Sequence, residues 1–284
     1  MKQNLLFILI IGLCAGLSSC GKEEYMDYEV YGLNTPVKSV KVKTYKAISK
    51  FGEVTKGNMM REGNYRIEFN SAGNIETMKQ FDENGELSEL IKCKFKDDGV
   101  YMTEMCSYDK EDKEIYRIIN EYDGDYVNKT TREHFFDFDS TVHTTEFKRD
   151  GKWITEAKHY RNGELESKVV YSKNDESGSE WIEYAADGSK ETKGSIELDE
   201  WRLTKRCMGD FCCTVEWNEK NLPVYVKNAS LFNNTLIAFT ADEGSVFYAE
   251  YEYDEEGNWI KQIIYKGDNM KPYSISIRDI DYGD

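Results

Sequence analysis

Proline and histidine are scarce in this chain, at three residues each among 284, and basic residues are outnumbered, with 37 Lys and Arg against 53 Asp and Glu. Each shortage excludes something. So little proline alongside 13% aromatic residues does not describe a disordered polymer; it fits β-strands, where aromatic side chains pack on a pleated surface. A net charge of −16 argues against nucleic acid and anionic lipid headgroups as partners, since both are bound through basic footprints. Apolar runs are short, and none reaches the 18 or so residues of a spanning helix. Also missing are a Gly-rich phosphate loop opening a helix, a Gly-x-Ser-x-Gly elbow and a His-Glu-x-x-His pair. Among the three histidines, His134 and His143 are expected to oppose each other around residues 137–140, where Glu133 or Asp139 would complete a divalent-metal site. The plainer reading is solvated side chains on an outward strand face, and His159 has no evident partner. The chain is therefore read as non-enzymatic, with no cofactor and no metal.

What is present begins at the N-terminus. Lys2 is followed by the apolar stretch Leu5 to Leu17 and by Leu17-Ser18-Ser19-Cys20, a small-residue cleavage site ending in cysteine. These residues resemble the signal of bacterial lipoproteins, which implies a mature chain starting at Cys20 and carrying two or three acyl chains. At about 0.8 kcal/mol per buried methylene, that is a firm membrane anchor. Removing Lys2 with the leader leaves 36 basic against 53 acidic residues, a net charge of −17 over 265 residues. The next residues, Gly21-Lys22-Glu23-Glu24, resemble the short acidic export signal of surface-exposed Bacteroidetes lipoproteins, so Lys22, Glu23 and Glu24 are assigned to export and the protein to the outer membrane surface. Residues 1–19 are read as signal peptide, 20–36 as a lipidated acidic tether, and 37–284 as the folded part, long enough for one large β domain or two small ones.

The folded part is built from an internal repeat. Phe69-Asn70-Ser71-Ala72-Gly73-Asn74-Ile75, Phe81-Asp82-Glu83-Asn84-Gly85-Glu86-Leu87 and Tyr253-Asp254-Glu255-Glu256-Gly257-Asn258-Trp259 share an aromatic, Asp or Asn, two residues, Gly and a second apolar residue. Each reads as a hairpin turn in which the Asp or Asn accepts from backbone ahead of it and Gly takes the left-handed conformation. That register places Phe69 opposite Ile75, Phe81 opposite Leu87, Phe95 opposite Tyr101, Phe147 opposite Trp153, Trp217 opposite Pro223 and Tyr253 opposite Trp259. Tyr160 meets Leu165 across an Asn162-Gly163 loop. Turns recur every 10 to 14 residues or so, which leaves one strand between each pair. The fold class is all-β: an antiparallel meander of roughly 16 to 20 strands, too many for a flat sheet and therefore curved, spiralling or barrel-like. Residues 173–179 are the best internal boundary, or a longer hairpin loop.

Together with Pro36-Val37-Lys38-Ser39-Val40 and the closing run Arg278-Asp279-Ile280-Asp281-Tyr282, these aromatic-Asp/Asn-x-x-Gly units resemble the YD-repeat lipoproteins of Bacteroidetes, relatives in pattern of rearrangement-hotspot repeats. The resemblance spans nearly the whole mature chain and implies a β scaffold with no agreed catalytic residues.

Five cysteines follow Cys20, so at least one stays outside any internal bridge. A two-residue Gly209-Asp210 loop would set Cys207 directly opposite Cys212, where a cross-strand disulfide can form, whereas Cys93 and Cys106 fall on opposite faces. Trp259, Lys261, Ile263 and Tyr265 are expected on one strand face, and Phe247, Ala249, Tyr251 and Tyr253 on one face of the preceding strand. Such a ladder either stabilises the hairpin or stacks on a glycan. The leading reading is a lipid-anchored scaffold or binding module of the envelope, with a protein or glycan partner on the aromatic face. An accessory of envelope assembly or of a secretion or toxin locus comes second, and an envelope carbohydrate-active hydrolase third.

Overall fold

The computed structural model describes residues 27–135, 140–200, 202–228, 230–232, 236–238 and 244–283. Cys20, Lys22, Glu23 and Glu24 lie outside them, as does Asp139. A four-residue helix, α1 (Asp27–Val30), precedes twenty-one strands among the described residues. The first seven are β1 (Ser39–Lys50), β2 (Glu53–Met59), β3 (Asn64–Phe69), β4 (Ile75–Phe81), β5 (Leu87–Phe95), β6 (Met102–Asp109) and β7 (Glu114–Asp123). Then come β8 (Tyr126–Phe135), β9 (Ser140–Asp150), β10 (Trp153–Arg161), β11 (Glu164–Asp175), β12 (Gly178–Ala185), β13 (Lys190–Asp199) and β14 (Arg202–Met208). The last seven are β15 (Phe211–Trp217), β16 (Pro223–Lys227), β17 (Ser230–Phe232), β18 (Leu236–Ala238), β19 (Val246–Tyr253), β20 (Trp259–Lys266) and β21 (Lys271–Asp281). Nineteen are antiparallel members of one sheet, and β17 and β18 pair separately. The all-β antiparallel meander of repeated hairpins is thus what the sequence folds into.

The chain forms two compact units. The terminal unit holds residues 25–100, 107–113 and 215–284. Here β1 pairs with the last strand, β21, from Ser39↔Asp281 to Lys46↔Ser274, and its other edge is taken by β3 and β2. Both ends of the meander are therefore hydrogen-bonded to each other. Alternation sets the core: Val40, Val42, Tyr65, Ile67, Met78 and Ile275 are all at most 1% exposed.

Turn chemistry explains the register. Asn70, Asp82 and Asp254 each accept the backbone N–H four residues on, and Gly73, Gly85 and Gly257 sit at φ of 84°, 85° and 81°. Phe69↔Ile75, Phe81↔Leu87 and Tyr253↔Trp259 are paired. One residue later each hairpin carries a bulge, so that Glu68 meets Thr77, Gln80 meets Glu89 and Glu252 meets Lys261.

The segment expected as a tether departs from that reading. Asp27–Pro36 is folded into the terminal unit, with Tyr31 and Leu33 at 5% and 2% exposed. Asp27 accepts the N–H of Ile75, and the N–H of Tyr28 reaches Gly73 O. Aromatic and leucine side chains in an acidic stretch are what allow it to bury.

The central unit includes residues 101–106 and 114–214. Tyr160 pairs with Leu165 around Asn162 and Gly163, both at positive φ. The expected Phe147–Trp153 pair does not form: Trp153 opposes Asp150, and Phe147 opposes Ala157. Gly151, at φ 58°, stands first in a two-residue Gly-Lys loop, the position glycine takes in a II′ turn, so the hairpin closes more tightly than the five-residue pattern. Residues 173–179 are a hairpin rather than a boundary, with Asp175 opposite Gly178.

Candidate functional site

The strands β7 to β10 of the central unit place a polar cluster on their buried face. Pairing fixes three rows across it: Tyr116, His134 and Thr141; Ile118, Arg132 and His143; and Asn120, Thr130, Thr145 and His159. Tyr116 and Ile118 are fully buried and Asn120, Thr130 and Thr145 nearly so, whereas Arg132 and the three histidines are half-buried. The third row is internally satisfied, since Thr130 donates to Asn120 at 2.9 Å and Thr145 Oγ1 lies 3.0 Å from His159 Nδ1.

The first two rows each hold one atom that is not, on Tyr116 and on Arg132. His134 packs against Tyr116 with ring centroids 4.6 Å apart and edge-on against His143 at 5.9 Å. The Tyr116 hydroxyl is buried and makes no hydrogen bond among the described residues; neither does Arg132 Nε, and Arg132 has no carboxylate partner there. Burial pushes the Tyr116 phenol up to about 12, the Arg132 charge offsetting part of the rise. Burial also lowers the His134 imidazole, with His143 and Arg132 adding to it, and lowers His159 against the opposing field of Glu183. Glu166 approaches His143 Nδ1 at 4.0 Å, and Glu183 accepts from Ser167 at 2.8 Å.

This geometry corrects the histidine expectations. His134 opposes Thr141 and His143 opposes Arg132, because the β8–β9 pairing closes at Phe135↔Ser140. Both rings lie on the buried face, and Glu133 points to the other one, where Arg117 is 3.9 Å away. Among the described residues no three His, Cys, Asp or Glu are placed to hold a metal. His159, seemingly partnerless in sequence, has Thr145. Tyr116 and Arg132 were missed altogether, although counting outward from the Gly124-Asp125 loop with one bulge reaches Tyr116↔His134.

The exposed face is charged. In the central unit Glu121, Lys129, Glu146, Lys158 and Lys168 stand in one cross-strand row, with Lys129 and Glu121 2.6 Å apart. In the terminal unit Lys41 stands between Asp279 and Arg66, and these three with Ser39 and Asp281 line a surface depression of about 270 Å³.

Cys207 and Cys212 are joined by a disulfide across β14 and β15, their Cα atoms 4.1 Å apart. Cys93, Cys106 and Cys213 stand outside that bridge. The aromatic ladder is altered by the β20 bulge, which turns Trp259 to the buried face, fully covered, away from Lys261, Ile263 and Tyr265. There Arg278 stacks on it at 3.5 Å. Trp259 is thus unavailable to a glycan.

No protein-family model matches the chain, and no curated protein does. Among solved structures it is similar to a porin-like protein from Bacteroides uniformis, at 12% identity and a TM-score of 0.39 over 87% of this chain and 98% of that one. It is also similar to a porin-like protein from Bacteroides vulgatus, at 9% identity and a TM-score of 0.35 over 87% and 98% of the two chains. A DUF1329 family protein from Desulfovibrio piger gives 7% identity and a TM-score of 0.19 over 90% and 91%.

Proposed function

We propose that this protein is a lipid-anchored, non-enzymatic binding module of the bacterial outer membrane that keeps its sheet in water rather than in the bilayer. The exposed charge rows carry the reading. A membrane-spanning barrel turns an apolar band about 25 Å tall outward, and a Lys or Arg at the bilayer midplane costs about 2 to 4 kcal/mol. A face carrying Glu121, Lys129, Glu146, Lys158 and Lys168 in one row suits water instead. Membrane attachment then falls to Cys20. Because the chain is already folded at Asp27, at most six residues separate the fold from the anchor, a reach of no more than about 20 Å when extended. The protein is held close to its membrane. Lys22, Glu23 and Glu24 support the surface side.

Fractionation of cells expressing the native chain or Cys20→Ala tests this. The expected result is native protein in the membrane fraction and folded Cys20→Ala protein in the soluble fraction. Cys20→Ala protein that stays in the membrane through alkaline extraction would overturn the reading. Protease treatment of intact cells addresses the side: native protein is cleaved, and a Lys22→Ala, Glu23→Ala, Glu24→Ala variant is protected.

A further inference from the structure

Among the described residues, the cluster on β7 to β9 has two donor groups, on Tyr116 and Arg132, for which no acceptor is found. Arg132 offers a guanidinium without a carboxylate partner among the described residues, and Tyr116 a fully buried hydroxyl without a hydrogen bond there. The His134 ring packs against the Tyr116 ring on one side and the His143 ring on the other. A buried polar group left unpaired costs about 1 to 3 kcal/mol, and more when charged, so the arrangement is stabilised by whatever satisfies it. A metal cation does not, since the guanidinium repels it and has no lone pair to give. A planar carboxylate would be filled by the arginine fork alone. Donors from three strands suit a group with three free oxygens. We propose that Tyr116, Arg132, His134 and His143 form a binding site for a phosphoryl oxyanion, either free phosphate or a phosphate monoester.

The neighbouring acids leave room for it. Glu183 is engaged by Ser167, and Glu166 approaches His143 at Nδ1, which leaves Nε2. Arg161, exposed at the end of β10 and opposite His143, adds positive charge to the row. The overall negative charge is screened beyond about 10 Å at 0.1 M salt, so it slows encounter without cancelling contact. Burial keeps His134 below its ordinary pKa, and a bound anion would reverse that, drawing a proton onto the ring.

Three histidines give three ring signals, so nuclear magnetic resonance of the full-length protein in detergent reads the site directly. Inorganic phosphate and glycerol phosphate are titrated separately against chloride at equal ionic strength. The expected result is a saturable shift of the His134 and His143 rings, larger than that of His159, with the stronger ligand separating a free-ion site from a monoester site. Arg132→Gln should weaken binding about tenfold or more, as loss of a charge-assisted bond implies. Tyr116→Phe, which keeps the ring and removes only the hydroxyl, should weaken it severalfold and decides the matter if Arg132→Gln fails to fold. Shifts no larger than those in chloride, or unchanged affinity in Tyr116→Phe and a folded Arg132→Gln, would overturn the site. The proposal stands apart from the anchor: phosphate binding by purified protein and membrane partition of Cys20→Ala fail independently.

Discussion

Replacing Arg278 should separate local from global stability. Its guanidinium is 3% exposed, donates to Tyr31 O at 2.7 Å and stacks on Trp259, and burial lowers its pKa to about 10. The bond to Tyr31 is worth about 1.5 to 3 kcal/mol as a hydrogen bond from a charged group, and the desolvated stack about 2. Against these stands a desolvation penalty of several kcal/mol, which an apolar side chain of similar volume escapes. Arg278→Met is therefore expected to leave global unfolding within about 1 kcal/mol of the native chain, while freeing the segment that leads to Cys20. The reporters are the amides of Tyr31, Gly32 and Leu33, which donate to Asp27, Glu29 and Tyr28. Their hydrogen exchange should accelerate roughly 10- to 150-fold, the same 1.5 to 3 kcal/mol read as a local opening. Arg278→Ala leaves a cavity as well and should lower global stability by about 3 kcal/mol. Exchange of the three amides within about threefold of native in Arg278→Met would refute the hold of Arg278 on this segment.

Gly85 and Gly257 hold the same turn position with different surroundings. Alanine at Gly85 meets nothing within 4 Å and should cost only the left-handed backbone, about 1 to 2 kcal/mol; at Gly257 its Cβ comes 3.0 Å from Asn34 Nδ2, which donates to Gly257 O, so denaturant titration should show about 1 kcal/mol more. Equal losses would remove Asn34 from the account. Acidification tests the half-buried histidines. His134 and His159 titrate below 6.5 in the fold, so protonation favours the unfolded chain, and their contribution is intact above about pH 6.5 and lost as pH falls toward the folded values. Glu89 runs the other way, its raised pKa giving stability that is present below 4.5 and lost as pH rises through the folded value. The histidines therefore pull urea midpoints down between pH 7 and 5 and Glu89 opposes them, so the measured test is the difference: His134→Gln with His159→Gln should lose less stability over that interval than the native chain does.

The fold was legible because turn chemistry is local. Asn70, Asp82 and Asp254, each three residues ahead of a glycine, set the loop, and the loop sets the first pairs on either side. The strand beyond each loop was less legible, because the bulge after each of these turns adds one residue to one strand and exchanges its faces. Counting alternation from Trp259 therefore put it with Lys261, Ile263 and Tyr265, when in fact it shares the buried face with Gln262 and Ile264. Phe147 and Trp153 failed for a related reason: Gly151 serves two loop lengths, and the pattern alone does not say which closes.

The candidate site was hidden by the same slippage. His134 and His143 were visible as residues, but which face they take depends on how β8 and β9 pair, and which neighbours they meet depends on β7 and β10. Tyr116 and Arg132 look in sequence like ordinary members of alternating strands; only the register Tyr116↔His134 and Arg132↔His143 gathers them. The terminal unit also buries polar side chains, among them Asn64, Gln262, Ser274, Ser276 and Arg278, but there Asn64 donates to Met60 O and accepts the Thr44 N–H, and Arg278 donates to Tyr31 O. In the Tyr116 and Arg132 rows stability is lost to a buried hydroxyl without a hydrogen bond and a guanidinium without a carboxylate partner among the described residues, and the proposed anion would recover it.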